Sequence, residues 1–189
     1  MDCVLGRRTT MNDTKRLTLS ALFLALGILL PYVFHATNLG GSMFLPMHIP
    51  VLLAGFFVGP FYAMAIGAIT PILSGAMTGM PPFGPFPVAI VMAFELAAYG
   101  FFAGLFYEKL RMNSILSLVL AMVCGRIVLG FVVFVLVVAF GFNKQNPAMY
   151  VWGGLATGWP GVLIQLVLIP AVVEIVRKAG LHPKEQQTG

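Results

Sequence analysis

Residues 88–104 read VAIVMAFELAAYGFFAG, seventeen positions in which Glu95 alone carries a charge. An ionised carboxylate surrounded by hydrocarbon costs several kcal/mol unless a partner faces it. The surroundings are hydrocarbon, because 59% of the 189 residues are hydrophobic and only 9% are charged. A helical span needs roughly 20 apolar residues, so a chain of this length holds about six spans joined by short loops, with no room for a separate soluble domain. The expectation is an all-α integral membrane protein: six transmembrane helices in a compact bundle, with N and C termini cytoplasmic. Tails over residues 1–16 and 179–189 flank a membrane domain over residues 17–178.

Working outward from Glu95, the segment before its span is TGMPPFGPFP (78–87), whose prolines cannot continue a helix. The fourth span therefore starts at Val88, runs to about Tyr107, and ends in the charged turn EKLRMN. Upstream, the first apolar run extends from Leu17 to about Phe34, and its length favours a retained span over a signal peptide. HATNLGGSMF (35–44) interrupts the hydropathy, and LPMHIPVLLAGFFVG (45–59) forms a short second span. Pro60 suits a first helical turn, so a third span runs from there to about Met77, with Pro71 as a kink. Downstream, a fifth span covers Ser114 to Phe142. GFNKQNPAMYVWGGLATG (141–158) reads as a polar, aromatic loop carrying interfacial Tyr150 and Trp152, and the last span runs from about Trp159 to Ile175.

Positive charge orients this bundle. Of eleven Lys and Arg residues, four precede the first span, Lys109 and Arg111 follow the fourth, and Arg177, Lys178 and Lys184 follow the sixth. All three groups fall on one side, which becomes the cytoplasmic one. The net charge of +5 is thus topological and implies membrane lipid, not nucleic acid, as the surrounding partner. Arg126 is the remaining cation inside a span. Counting from the inner ends of adjacent antiparallel spans puts Glu95 and Arg126 at one depth, about 18 Å in. They are expected to form an ion pair, which either fixes helix register alone or also faces a solute. An arginine fork suits a carboxylate, which favours an anionic substrate.

Other polar positions in the outer half are weaker candidates for substrate binding: Asn38 in the first outer loop, His48 between two prolines, and Gln165 in the last span. Tyr99 and Trp159 could stack on a flat ligand. Each also has an ordinary packing or interfacial reading, as do Met43, Met47, Met77, Met80 and Met92. Cys3 and Cys124 share no ligand spacing with each other or with a histidine, so neither a disulfide nor a metal framework is implied. No phosphate loop, HExxH or nucleophile elbow is present, so the chain shows no means of its own for using ATP or hydrolysing a bond, and no cofactor is called for.

FLPMHIPVLLAGFFVGPFYAMAIGAITPILSGAMTGMPP, followed by MAFELAAYGFFAGLFY and GWPGVLIQLVLIPAVV, resembles the S components of energy-coupling factor (ECF) vitamin transporters over about residues 14–179. The resemblance implies a vitamin-binding membrane subunit of an ECF-type ABC importer in a prokaryotic plasma membrane. Its implied partners are a small-molecule vitamin, a transmembrane coupling subunit and two cytoplasmic ATPase subunits. It further implies a ligand near the outer face, covered by the first outer loop, where Gly40 and Gly41 would serve as a gate. The family's AxxxA motif, contacting the coupling subunit, is matched by Ala21 and Ala25. Among the family's substrates, the MHIPVLL group and the single buried arginine favour an acid such as pantothenate. The competing reading is a self-contained facilitator or proton-coupled carrier with Glu95 as its proton site.

Overall fold

The computed structural model describes residues 13–36, 44–141 and 146–179. Among them the chain is all-helical: α1 (Asp13–Ala36), α2 (His48–Val58), α3 (Pro60–Thr78), α4 (Val88–Gly104, continued by a π-turn over Leu105–Lys109), α5 (Ser114–Phe140) and α6 (Pro147–Lys178). Five of these are long and apolar enough to cross a membrane, and α2, with 11 residues, is shorter. At about 1.5 Å per residue α2 is about 16 Å long, half of a hydrocarbon core of about 30 Å. The sequence reading had made it a short span of its own.

A helix that is apolar on every side belongs where other helices surround it. Here α2 is that helix, with His48, Pro50, Val51, Leu52, Ala54, Gly55, Phe56 and Val58 all buried. On one side, Val51, Ala54 and Val58 pack with Phe23 of α1, Ala63 and Ile66 of α3 and Leu96 of α4. On the other, Leu52 and Phe56 pack with Tyr99 and Ala103 of α4, Leu118 of α5 and Ile169 of α6. The outward faces carry Leu22, Phe131, Val138 and Val167, all exposed, as lipid-facing side chains are.

The bundle has a basic end. Gly59, at φ 92°, turns the chain from α2 into α3 and lies against Glu108. Glu108 Oε1 is 3.6 Å from Arg16 Nη2 of α1, and Lys109 Nζ sits 5.3 Å from the centroid of the Phe61 ring. α6 finishes at the same end, since Val173 shares a core cluster with Phe56 and Tyr107. At the opposite end, Gly79 closes α3 in the left-handed region, and Ser74 Oγ donates to Met80 O at 2.8 Å. That bond ties the proline-rich linker to α3.

The boundaries of the second, third and fifth spans fall within a few residues of expectation. The last span needs correction, because α6 begins at Pro147 and not near Trp159. Residues 147–158 are helical, not a loop. Asn146 caps the helix by accepting from Ala148 N at 3.0 Å, and Pro147 occupies the first helical position, where its missing N–H costs nothing.

α3 and α4 approach closely because two glycines face each other's backbone. A methyl group added at Gly67 would fall on the backbone of Leu96, and one at Gly100 on that of Ala63. Small residues at such crossings let helices pack without intervening side chains. Gly67→Leu or Gly100→Leu should therefore destabilise the bundle by at least about 1–3 kcal/mol, the usual cost of overpacking. The readout is melting temperature and monodisperse yield in detergent. Gly84→Ala, where an added Cβ meets nothing within 4 Å, should melt like wild type.

Candidate functional site

α2 begins only at His48, and above its start the described residues leave space. A cavity of about 900 Å³ occupies that space, at the end of the bundle opposite Arg16 and Glu108. Its walls come from Pro31 at the end of α1, Leu45 to His48 at the start of α2, Met80 to Pro82 of the tied-down linker, and Met92 of α4. α5 contributes Arg126 and Leu129, and the first turns of α6 complete it.

The α6 contribution was not foreseen. Asn146, Met149, Tyr150, Gly153, Gly154 and Thr157 border the cavity, recurring at the three- and four-residue spacing of one helical face. That period was legible, but the stretch was read as a polar, aromatic loop. Within the helix a Cβ at Gly154 would lie 3.4 Å from Arg126 Nη1, and one at Gly153 would meet nothing within 4 Å.

Polar groups gather at the junction of α2, α4 and α5. Arg126 Nη1 lies 3.2 Å from Glu95 Oε1, so the ion pair expected from equal depth is formed. The Tyr99 hydroxyl donates to the same oxygen at 2.9 Å. Tyr99 is one helical turn beyond Glu95, which brings the two onto one face. His48 Nε2 lies 3.9 Å from Glu95 Oε2, too far for a hydrogen bond. The His48 ring packs at 5.4 Å, centroid to centroid, on Tyr99, and neither of its ring nitrogens has a hydrogen-bond partner. His48 opens α2, its backbone N–H donating to Leu45 O at 3.0 Å.

Electrostatically this is a compensated pair with spare capacity. The Glu95 side chain is 5% exposed and that of Arg126 18%, so the carboxylate is the more deeply held partner and the guanidinium the one nearer the cavity space. Oxygen Oε1 is doubly engaged, whereas both ring nitrogens of His48 are buried without a hydrogen-bond partner. Buried polar groups left without partners are unfavourable, and a bound solute removes the penalty.

Of the expected site residues, His48, Glu95, Tyr99 and Arg126 come together. Gln165 is buried beside them, in a neighbouring cavity that also touches His48, Tyr99 and Arg126. Trp159 does not join: it is 58% exposed and borders neither cavity. The inward face of α6 runs through Gly158, Gly161, Gln165, Ile169 and Val173, and Trp159 is one residue, or about 100°, away from it. Asn38, Gly40 and Gly41 lie outside the described residues. Met47, Met80 and Met92 border the cavity, beyond the packing role given them from sequence, while Met77 is exposed. Among the described residues no group of His, Cys, Asp and Glu could hold a metal ion.

Ala21 and Ala25 of α1 are both exposed. α1 turns Ser20, Phe23, Gly27 and Pro31 inward toward α2 and α3, and the alanines sit beside exposed Leu22, Leu26 and Leu29 on the outer face.

Comparison with known proteins bears on what this cavity serves. No curated protein and no solved structure matches the chain. The family profile described as "ECF transporter, substrate-specific component" matches residues 15–173, which reaches into all six described helices and takes in the polar junction beneath the cavity. This multi-pass cell membrane protein belongs to the substrate-specific components of ECF transporters, the subunits that bind a small molecule for transport.

Proposed function

We propose that this chain captures a vitamin-sized molecule from outside the cell in the cavity above α2 and delivers it through a transmembrane coupling subunit driven by two separate cytoplasmic ATPases. The observation that carries this reading is a cavity of about 900 Å³, open opposite the basic end, with unpaired polar groups at its inner limit. Pockets that take small organic ligands are of this size and this mix of apolar wall and few polar groups. Lys15, Arg16, Lys109, Arg111, Arg177 and Lys178 near the helix ends opposite the cavity support a cytoplasmic assignment for that end and for both termini.

The substrate we favour is an acid of the pantothenate type. The guanidinium edge of Arg126 that Glu95 leaves free would take its carboxylate, and its hydroxyl and amide groups would meet Glu95 Oε2 and His48. Tyr99 acts as a positioning residue, holding Glu95 Oε1 so that Oε2 is presented.

Proteoliposomes test the division of labour. The isolated chain should bind radiolabelled pantothenate with one-to-one stoichiometry yet accumulate none. Accumulation should require coupling subunit, both ATPases and ATP. Uptake by the isolated chain, driven by a proton gradient and abolished by Glu95→Gln, would replace this reading with that of a self-contained proton-coupled carrier. Binding of riboflavin, thiamine, biotin or folate in place of pantothenate would keep the subunit reading and change the substrate.

A further inference from the structure

A second cavity of about 380 Å³ lies between α5 and α6. It shares Leu45, His48 and Arg126 with the main cavity, so those side chains form a waist standing between the two. Val123, Ile127 and Leu155 on its outer side are exposed on the lipid-facing surface. Its inner side is Tyr99 and Gln165, which are 3% and 1% exposed. Apart from the shared waist and Tyr99, its walls are Met122, Val162 and other hydrocarbon, with Gln165 the one uncharged amide facing in. Gln165 Nε2 is buried without a hydrogen-bond partner.

Such a donor in an apolar cleft is unfavourable unless something accepts from it. A carboxylate is poorly suited, because the walls around Gln165 are largely apolar and its amide carries no charge to balance one. A lipid headgroup is out of reach, since Gln165 lies about 27 Å along α6 from Pro147 and an acyl chain at that depth carries no acceptor. What remains is part of a molecule that reaches the cleft through the waist.

We propose that the transported molecule is elongated and occupies both cavities: its body fills the larger one, it passes beside Arg126 and His48, and its far end places a neutral oxygen acceptor, a carbonyl, ether or hydroxyl, on Gln165 Nε2. This rests on the larger cavity being the binding site. It adds that recognition has two poles, a charged one at the waist and an uncharged one in the cleft between α5 and α6. Length and the terminal acceptor, not charge alone, then select the substrate.

The test uses the purified full chain, with pantothenate, riboflavin, thiamine, biotin and folate each titrated calorimetrically as probes. For whichever probe binds wild type, Gln165→Leu should weaken binding about tenfold, the effect of leaving one buried acceptor unpaired. Val162→Trp, which fills the cleft, should weaken it at least as much. Without any probe, Gln165→Leu should melt at the wild-type temperature or above, because it removes an unpaired donor. Unchanged affinity in Gln165→Leu would overturn the inference, and so would a fall in the ligand-free melting temperature, which would assign Gln165 to the scaffold. Should Val162→Trp fail to fold, Gln165→Leu decides. If no probe binds wild type, the choice of substrate class in the preceding section fails, and the melting comparison decides the role of Gln165 by itself.

Discussion

Arg126→Ala should be the most damaging single substitution in the membrane interior, lowering the melting temperature by several degrees or more and sharply reducing monodisperse yield. Removing the guanidinium leaves the Glu95 carboxylate, with a side chain 5% exposed, facing only a hydroxyl and a distant imidazole. Breaking a buried pair from one side typically costs about 3–5 kcal/mol, because the surviving charge is uncompensated. The reverse change should be milder. In Glu95→Ala the surviving group is Arg126, which at 18% side-chain exposure borders the cavity and can be hydrated there. The double variant should regain most of the yield lost in Arg126→Ala while failing to bind substrate, since both poles of the pair are gone. Additive losses in the double-mutant cycle would show that the two side chains do not interact. Arg126→Lys separates the roles: it keeps the charge for Glu95 and loses the planar fork, so yield should hold while pantothenate affinity falls.

Ala21→Trp and Ala25→Trp should abolish most ATP-driven uptake and leave substrate binding within about twofold of wild type. Both alanines are exposed on α1 and one helical turn apart, so they form a low strip on a face that no other helix of the bundle covers among the described residues. Small residues at this spacing let a partner helix lie close, and an indole on the strip holds it off. The cavity is built by side chains of the inner face of α1, the start of α2, the linker and α4 to α6, so an outward indole does not reach it. The informative pair of measurements is therefore binding by the isolated chain and uptake by the assembled complex. Loss of binding and melting temperature together would mean that the alanines pack within this chain. Full uptake in both variants would place the coupling contact on another face.

The sequence carried the polar junction further than is usual, for a specific physical reason. In a membrane the bilayer thickness supplies a ruler, so counting residues from the inner ends of two adjacent spans was enough to bring Glu95 and Arg126 to one depth. Tyr99 and His48 followed less directly, the first as an aromatic ring able to stack on a flat ligand and the second from its position at the start of the short α2. Depth, however, says nothing of rotation about a helix axis. Trp159 sat at a reasonable level and faces the wrong way, and only the buried series from Gly158 to Val173 shows it. The first three turns of α6 were lost for a different reason: glycine and threonine lower helix propensity, and propensity yields to packing. Nor could hydropathy show that α2, as apolar as any span, is enclosed by protein and reaches only halfway.

That half-length helix divides the molecule into regions that experience mutation differently. Both apolar clusters built on α2 lie toward the basic end, where Val51, Leu52, Ala54 and Val58 are at most 1% exposed and any change of volume is felt by several neighbours. Around the hollow above His48, side chains such as Met80, Met92 and Met149 have space on one side, so exchanges there disturb little else. Exchanges around the hollow away from Glu95 and Arg126 can therefore change what it holds, while the packing around α2 keeps the fold.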